Sequence, residues 1–362
     1  MSINKIYNIL RRGNMKIRRD IIWLMGLQAR NIRFLDSPIS KPREDVKRLG
    51  IYAKAEDFIV PHLIHKEETV TYSFQRRYIY EIPNAIIDPT TGMVYDQEGN
   101  YIPESMAWET TRLLSEIPRP RIKKIKKILS GEYIFLPSTP TYYHWLIQDL
   151  PVFIGAYEKN PKAKILIGPH NFKPLQAFIK QYFCNNFKTY INPIRVEKLI
   201  MVAKDCGMGI PYPPLGSPNP EDIRRLQKYF CKYREEKKEQ KLMIYLSRSR
   251  WKRAMKSEEL LEKVLKEMGF VIFHGDIGFF EQIKLFSKAK VIIGATGAAM
   301  SNMIWAMPKT KIIQLHLPKD YWHFYYNLGH ICKHDYNFVE VPDAEWLETD
   351  INNIIEKIKE VI

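Results

Sequence analysis

Met243-Ile244-Tyr245-Leu246-Ser247-Arg248 is an apolar run that ends on a serine and an arginine. About forty residues later, Val291-Ile292-Ile293-Gly294 runs into Ala295-Thr296-Gly297-Ala298-Ala299-Met300-Ser301-Asn302. Each stretch reads as a buried strand that breaks into a polar or glycine-containing turn and then a helix. The first turn of a helix has unpaired N–H groups and the positive end of a dipole, so such a junction attracts anions. Arg248, Arg250 and Arg253 add permanent cations. The combination points to a pocket for a phosphorylated ligand, a nucleotide diphosphate by preference.

The pattern around these two stretches alternates. It predicts strands at 242–247, 270–273, 290–293, 311–315 and 337–341, and helices at 257–268, 278–288, 298–306 and 345–361. Short apolar strands alternating with helices imply a parallel sheet covered on both faces, whose ligands bind beyond the carboxyl ends of the strands. Arg248 and the Gly294–Gly297 loop both fall at such ends. Upstream, strands are expected at 133–136, 164–168 and 199–202, and helices at 143–157, 173–183 and 220–238. Short β-like stretches lie at 69–72 and 77–80, with turns at 88–92 and 98–100. Pro211 to Pro218 is a loop.

At 362 residues, 45% apolar and 12% aromatic, the chain is expected to fold as two domains. Residues 51–235 form the first and 236–362 the second, preceded by a basic, partly amphipathic region at 1–50. The four cysteines are scattered with no C-x-x-C pair, which argues against a disulfide framework or zinc ribbon. Net charge is +16, and residues 1–50 contribute half of it, with twelve Lys/Arg against four Asp/Glu. The longest apolar run there, 21–27, is far short of the ~20 residues needed to span a bilayer. No signal peptide is read. Basic residues beside Trp23, Ile and Leu suit a helix on an anionic membrane surface; a solvated face on an ordinary helix is the other reading. A second basic run, 119–127, fits nucleic acid, but no recognition motif accompanies it, and a charged solvated face explains it as well.

Gly294-Ala295-Thr296-Gly297 is neither G-x-G-x-x-G nor a Walker A loop. Ser301 and Asn302 sit one turn into the following helix and add polar groups. Ser247, Arg248 and Arg253 offer donors that match phosphate oxygens; surface pairing with Glu258 and Glu259 is the alternative. In the first domain, Tyr142-Tyr143-His144-Trp145-Leu146-Ile147-Gln148-Asp149-Leu150-Pro151 opens a helix. His144 and Asp149 there suit general-base work on a hydroxyl. They also suit a buried structural histidine and a surface carboxylate, which is the reading that the residues alone favour. His330 and His334 are a conceivable metal pair without a third ligand. His274 and His316 each have reach to the same cleft. No Asp-x-Asp occurs, so arginines and a helix dipole would have to offset a diphosphate's charge.

Three blocks resemble glycosyltransferase family 61, which includes capsular polysaccharide biosynthesis proteins and plant xylan arabinosyltransferases. They are Tyr143-His144-Trp145-Leu146 with Asp149-Leu150-Pro151; Tyr245-Leu246-Ser247-Arg248 with Arg253 and Glu258-Glu259-Leu260; and Phe280-Glu281-Gln282-Ile283 with Ala289, Val291 to Gly294, Gly297-Ala298 and Asn302. Two positions depart from the family pattern. Thr296 stands where the loop usually has histidine, and Ser257 where asparagine usually precedes the glutamate. A role for that histidine's charge therefore does not transfer.

The resemblance implies a GT-B-like α/β fold of two Rossmann-like domains facing across a cleft. It implies inverting, metal-independent transfer from a nucleotide sugar to a glycan or lipid-linked acceptor hydroxyl, with no cofactor. Donor contacts would come from Ser247, Arg248, Arg253, Glu281, Gln282, Gly294, Thr296, Gly297, Ala298, Ser301 and Asn302. Asp149 is the first choice of base and His144 the second. The expected setting is surface polysaccharide synthesis in the cytoplasm, peripheral to the inner face of the plasma membrane, with no nucleic acid partner. A non-catalytic sugar-nucleotide or polysaccharide binder and a basic nucleic-acid-binding protein are the alternatives.

Overall fold

The computed structural model describes residues 45–63, 67–105, 125, 127–137, 141–169, 178, 182, 187–204, 217–234, 240–251, 254, 257–316, 323–341 and 348–362. The basic region before residue 45, most of the basic run 119–127, Arg253 and most of the helix expected at 173–183 lie outside them.

The C-terminal half holds a five-stranded, all-parallel sheet: β11 (Leu242–Leu246), β12 (Phe270–Phe273), β13 (Ala289–Ala295), β14 (Lys311–His316) and β15 (Asp335–Glu340). Its order is β12-β11-β13-β14-β15. All five expected strands are present, with ends shifted by a residue or two. The period-2 alternation of buried strand residues divides the apolar side chains between two cores. Tyr245, Val291, Ile293 and Ile313 pack with Leu261 and Leu265 of helix α3 (Glu258–Glu267) and Ile351, Ile354 and Ile358 of helix α6 (Glu348–Val361). Ile244, Leu246, Ile292 and Ile312 face the other way, onto Phe279, Ile283 and Phe286 of helix α4 (Phe279–Ser287).

The N-terminal half is built on a mixed sheet in the order β1-β4-β10-β7-β8-β9. Strands β10 (Ile194–Val202), β7 (Ile128–Leu136), β8 (Lys164–Ile167) and β9 (Phe187–Thr189) run parallel. Strands β4 (Arg77–Pro83) and β1 (Lys47–Ala53) extend it antiparallel, and the short β5 (Ile86–Ile87) pairs with β10 and with β6 (Val94–Tyr95). A small hairpin, β2 (Glu56–Pro61) with β3 (Thr69–Phe74), stands apart. The parallel, Rossmann-like part of this sheet is therefore β10-β7-β8-β9, and β4 and β1 are an antiparallel edge added to it.

Three helical details also differ from expectation. The segment Ala298–Trp305 is a 3-10 helix rather than an α-helix. Helix α5 (His323–Ile331) was not anticipated. The 142–159 helix begins with an α-turn, Tyr142–His144, and widens to a π-turn over Trp145–Asp149. It continues as α1 (Leu150–Lys159), with Pro151 in the first turn, where a missing N–H is tolerated. Helix α2 (Pro220–Tyr229), capped by the Asn219 side chain on Glu221 N, ends short of the expected 238.

The two halves share one apolar cluster. Trp145 meets Phe279 edge-on at 5.6 Å between ring centroids, and Tyr143 meets Tyr325 at 5.3 Å. Trp305 stands against both Phe230 and Phe279. The start of the helix carrying His144 is thereby anchored against the C-terminal half.

Candidate active site

In a sheet ordered 2-1-3-4-5, the connections diverge between the first and third strands and leave a crevice at their carboxyl ends. Here those strands are β11 and β13, followed by Ser247-Arg248 and Thr296-Gly297 respectively. The two stretches that stood out in the sequence are therefore side by side. Leu246 is in register with Gly294. A Cβ on Gly294 would lie 2.8 Å from Leu246 Cβ, so this glycine serves the close approach of the two strands.

Arg248 is fixed at both ends. Its backbone N–H donates to Glu258 Oε1 at 2.8 Å, and that oxygen also accepts from Tyr245 Oη at 2.7 Å. Its Nη1 donates to the Thr296 carbonyl at 2.7 Å. A Cβ built on Gly297 would meet Arg248 Cδ and Nε at 3.8 Å, so the half-buried side chain lies along the β13 turn. The Thr296 hydroxyl accepts from Gln314 Nε2 at 2.8 Å. Arg250 is exposed and paired with Asp276 at 2.9 Å.

Several expected donor-site residues face elsewhere. Ser247 is buried, and its hydroxyl is bonded to Glu262 of α3. Glu281 is exposed and paired with Lys284. Gln282 is buried and donates to the Ile277 carbonyl at 2.9 Å. Ser301 is bonded to the Ala298 carbonyl. The buried Tyr142 hydroxyl donates to Asn302 Oδ1 at 2.7 Å, with Gln282 Oε1 a second acceptor at 3.1 Å. Gln282 and Asn302 thus tie the 3-10 helix and α4 to the helix that carries His144. Gly294, Thr296, Gly297 and Ala298 remain at the crevice with Arg248.

On the N-terminal side, His144 Nδ1 lies 2.7 Å from Gln148 Oε1. An amide oxygen can only accept, so Nδ1 carries the proton and Nε2 the lone pair. Burial lowers the His144 pKa below the ordinary histidine value, against smaller opposing effects from Gln148 and Asp149 and a reinforcing one from Lys204. The ring is therefore neutral at pH 7 and able to accept a proton. Asp149 is 3% exposed and forms an ion pair with Lys204, also buried, just beyond the end of β10. The π-turn holds both His144, at its entry, and Asp149, at its end; such turns concentrate at functional sites.

Sequence reasoning passed over Lys204, Gln314 and Tyr142. Only a lysine closing an apolar strand gave any signal, and its partner is not local. The other histidines that the sequence singled out each have a neighbour in the fold. His334 Nε2 donates to the Met303 carbonyl at 2.9 Å, and burial pushes its pKa down to about 4. His330 stands against the Tyr326 ring. His316 is buried edge-on to Phe338, and His274 lies 4.0 Å from Glu262. Among the described residues, no three His, Cys, Asp or Glu side chains group as a metal site. No described helix is long and apolar enough to cross a membrane.

Residues 142–313, just under half of the chain, match the family model described as Glycosyltransferase 61. The match begins at the helix bearing His144 and ends in β14, so it takes in both sides of the site. No curated protein matches the chain.

Proposed function

Through residues 142–313 the chain belongs to glycosyltransferase family 61, and from that premise we propose that it transfers a sugar from a nucleotide-sugar donor to a hydroxyl of a glycan or lipid-linked acceptor, with inversion. The donor diphosphate lies in the crevice between β11 and β13. The observation that carries this reading is the Arg248–Thr296 contact at the switch point of the parallel sheet. A fixed guanidinium there matches the charge that develops on the departing diphosphate. With no Asp-x-Asp in the chain, arginine takes the place of a divalent cation; Arg253 is the proposed second cation.

His144 is the proposed base, ahead of Asp149. A base has to come within hydrogen-bond reach of the acceptor hydroxyl. Asp149 is buried and bonded to Lys204, whereas His144 is half-buried, neutral and fixed in one tautomer by Gln148. Asp149 then stabilises the imidazolium that forms, since its charge favours the protonated ring.

The proposed architecture is GT-B-like. Residues 51–235 supply the acceptor side and 236–362 the donor side, and residues 1–50 bring the enzyme to an anionic membrane surface in surface polysaccharide synthesis. Turnover of UDP-, GDP- and CMP-sugars by wild type and Arg248→Ala tests the site. Loss of both donor binding and turnover in a variant with an unchanged melting temperature is expected. Normal turnover by Arg248→Ala would show that the diphosphate lies elsewhere.

A further inference from the structure

Thr296 is half-buried at the mouth of the β11–β13 crevice, and its hydroxyl is held from behind. Gln314, fully buried on β14 and in register with Gly294, donates from Nε2 to Thr296 Oγ1 at 2.8 Å. Gln314 Oε1 in turn accepts from the Tyr336 hydroxyl of β15. The Tyr336 ring is wedged edge-on to Tyr326 at 5.6 Å and tilted against Phe338 at 5.3 Å. It also fills the space beside Gly329, where a Cβ would come within 2.2 Å of it. Its hydroxyl position is therefore set by packing.

The direction of this chain of bonds follows from counting protons. Tyr336 has one proton and, among the described residues, one acceptor for it, Gln314 Oε1. That fixes which end of the Gln314 amide faces Thr296. The NH₂ end occupies a lone pair of the Thr296 oxygen. The threonine's own proton then has no acceptor among the described residues, so the hydroxyl presents a hydrogen-bond donor to the crevice. If the amide were reversed, Thr296 would donate to Gln314 and would have only lone pairs left to offer, which an anionic oxygen repels.

We propose that Gln314 and Tyr336 are positioning residues that commit the Thr296 hydroxyl to donate to an anionic phosphate oxygen of the bound nucleotide. This rests on the reading of the crevice as the donor diphosphate site. It gives a neutral route to phosphate recognition at a position where the family usually places a histidine.

The test is calorimetric binding of UDP, GDP and CMP to wild type, Thr296→Val, Thr296→Ser, Tyr336→Phe and the double variant Thr296→Val/Tyr336→Phe, with melting temperatures for each. A hydrogen bond to a charged group corresponds to roughly tenfold in affinity. Thr296→Val and Tyr336→Phe should each weaken the nucleotide that binds wild type by about that factor. Thr296→Ser should bind as wild type does. The double variant should bind no more weakly than Thr296→Val alone, because Tyr336 acts only through Thr296. Wild-type affinity in Tyr336→Phe, or losses that multiply in the double variant, would overturn the positioning role while leaving the diphosphate site standing. Failure of all three nucleotides to bind wild type would overturn the site and the relay together.

Discussion

Lys204 and Asp149, fifty-five residues apart, meet as an ion pair with side chains only 8% and 4% exposed, at the end of the π-turn that His144 opens. A buried pair of this kind is costly to break, because removal of one partner strands the other charge in a poor solvent. Lys204→Met should lower unfolding free energy by roughly 3–5 kcal/mol. Lys204→Met/Asp149→Leu should recover most of that loss. Urea midpoints of the two variants check this. Turnover separates support from chemistry: the double variant should retain more of its kcat than His144→Ala. The reverse order would return the base role to Asp149.

With His144 as the proposed base, the acid limb of the pH profile should follow the titration of its ring. Its folded pKa lies below the ordinary value of about 6.5. It is neutral above that folded pKa and protonated, hence inactive as a base, below it. kcat/KM should therefore fall on acidification, with the midpoint of the limb below pH 6.5. Gln148 holds the Nδ1–H and raises the pKa slightly against the effect of burial, so Gln148→Leu should move the limb to lower pH. His144→Ala should lower kcat by about 10²–10⁴-fold and abolish the limb. A limb that survives in His144→Ala would belong to another group.

The strands and their ends were legible because buried parallel strands leave unbroken apolar runs, such as 243–246 and 291–293, that stop at polar turns. The crevice was legible for the same reason, since Arg248 and Thr296 both follow such runs. The facing of individual side chains was not. Ser247, Gln282, Ser301 and Asn302 look like ligand-binding groups in a motif, yet each is bonded within the protein: Gln282 and Ser301 to the nearby carbonyls of Ile277 and Ala298, Ser247 and Asn302 to the more distant Glu262 and Tyr142. Lys204 and Gln314 were invisible because a single polar residue near a strand end has no periodic signature. The antiparallel edge of the first sheet escaped notice because its strands pair across more than a hundred residues, as β4 does with β10.

Gly294 allows β13 to lie against β11. With an added Cβ only 2.8 Å from Leu246 Cβ, Gly294→Ala should cost about 1–3 kcal/mol through overpacking. Leu246→Ala removes the contacts at 3.1 and 3.2 Å but keeps the offending Cβ, so it should relieve little of the strain. In a Leu246→Gly background the extra methyl should cost nothing further. Chemical denaturation of this cycle measures the coupling, and additive losses would show that the strands separate without strain.

His334 makes stability depend on pH through the same half of the molecule. Its folded pKa, about 4, lies below the unfolded value of about 6.5 because burial disfavours the charged ring. Above pH 6.5 the ring is neutral in both states and costs nothing. Between 6.5 and 4 the unfolded chain binds the proton preferentially, so stability falls as pH falls. At pH 5 the loss from this residue alone is roughly 2 kcal/mol. Glutamine retains an N–H able to reach the Met303 carbonyl and does not titrate. His334→Gln should therefore show a smaller drop in urea midpoint between pH 7 and pH 5 than wild type, by that amount. Parallel pH dependences would mean that the buried ring is not what acid attacks. Because Met303 lies in the 3-10 helix that follows Gly297, the same protonation should also loosen nucleotide binding at pH 5 in wild type more than in His334→Gln.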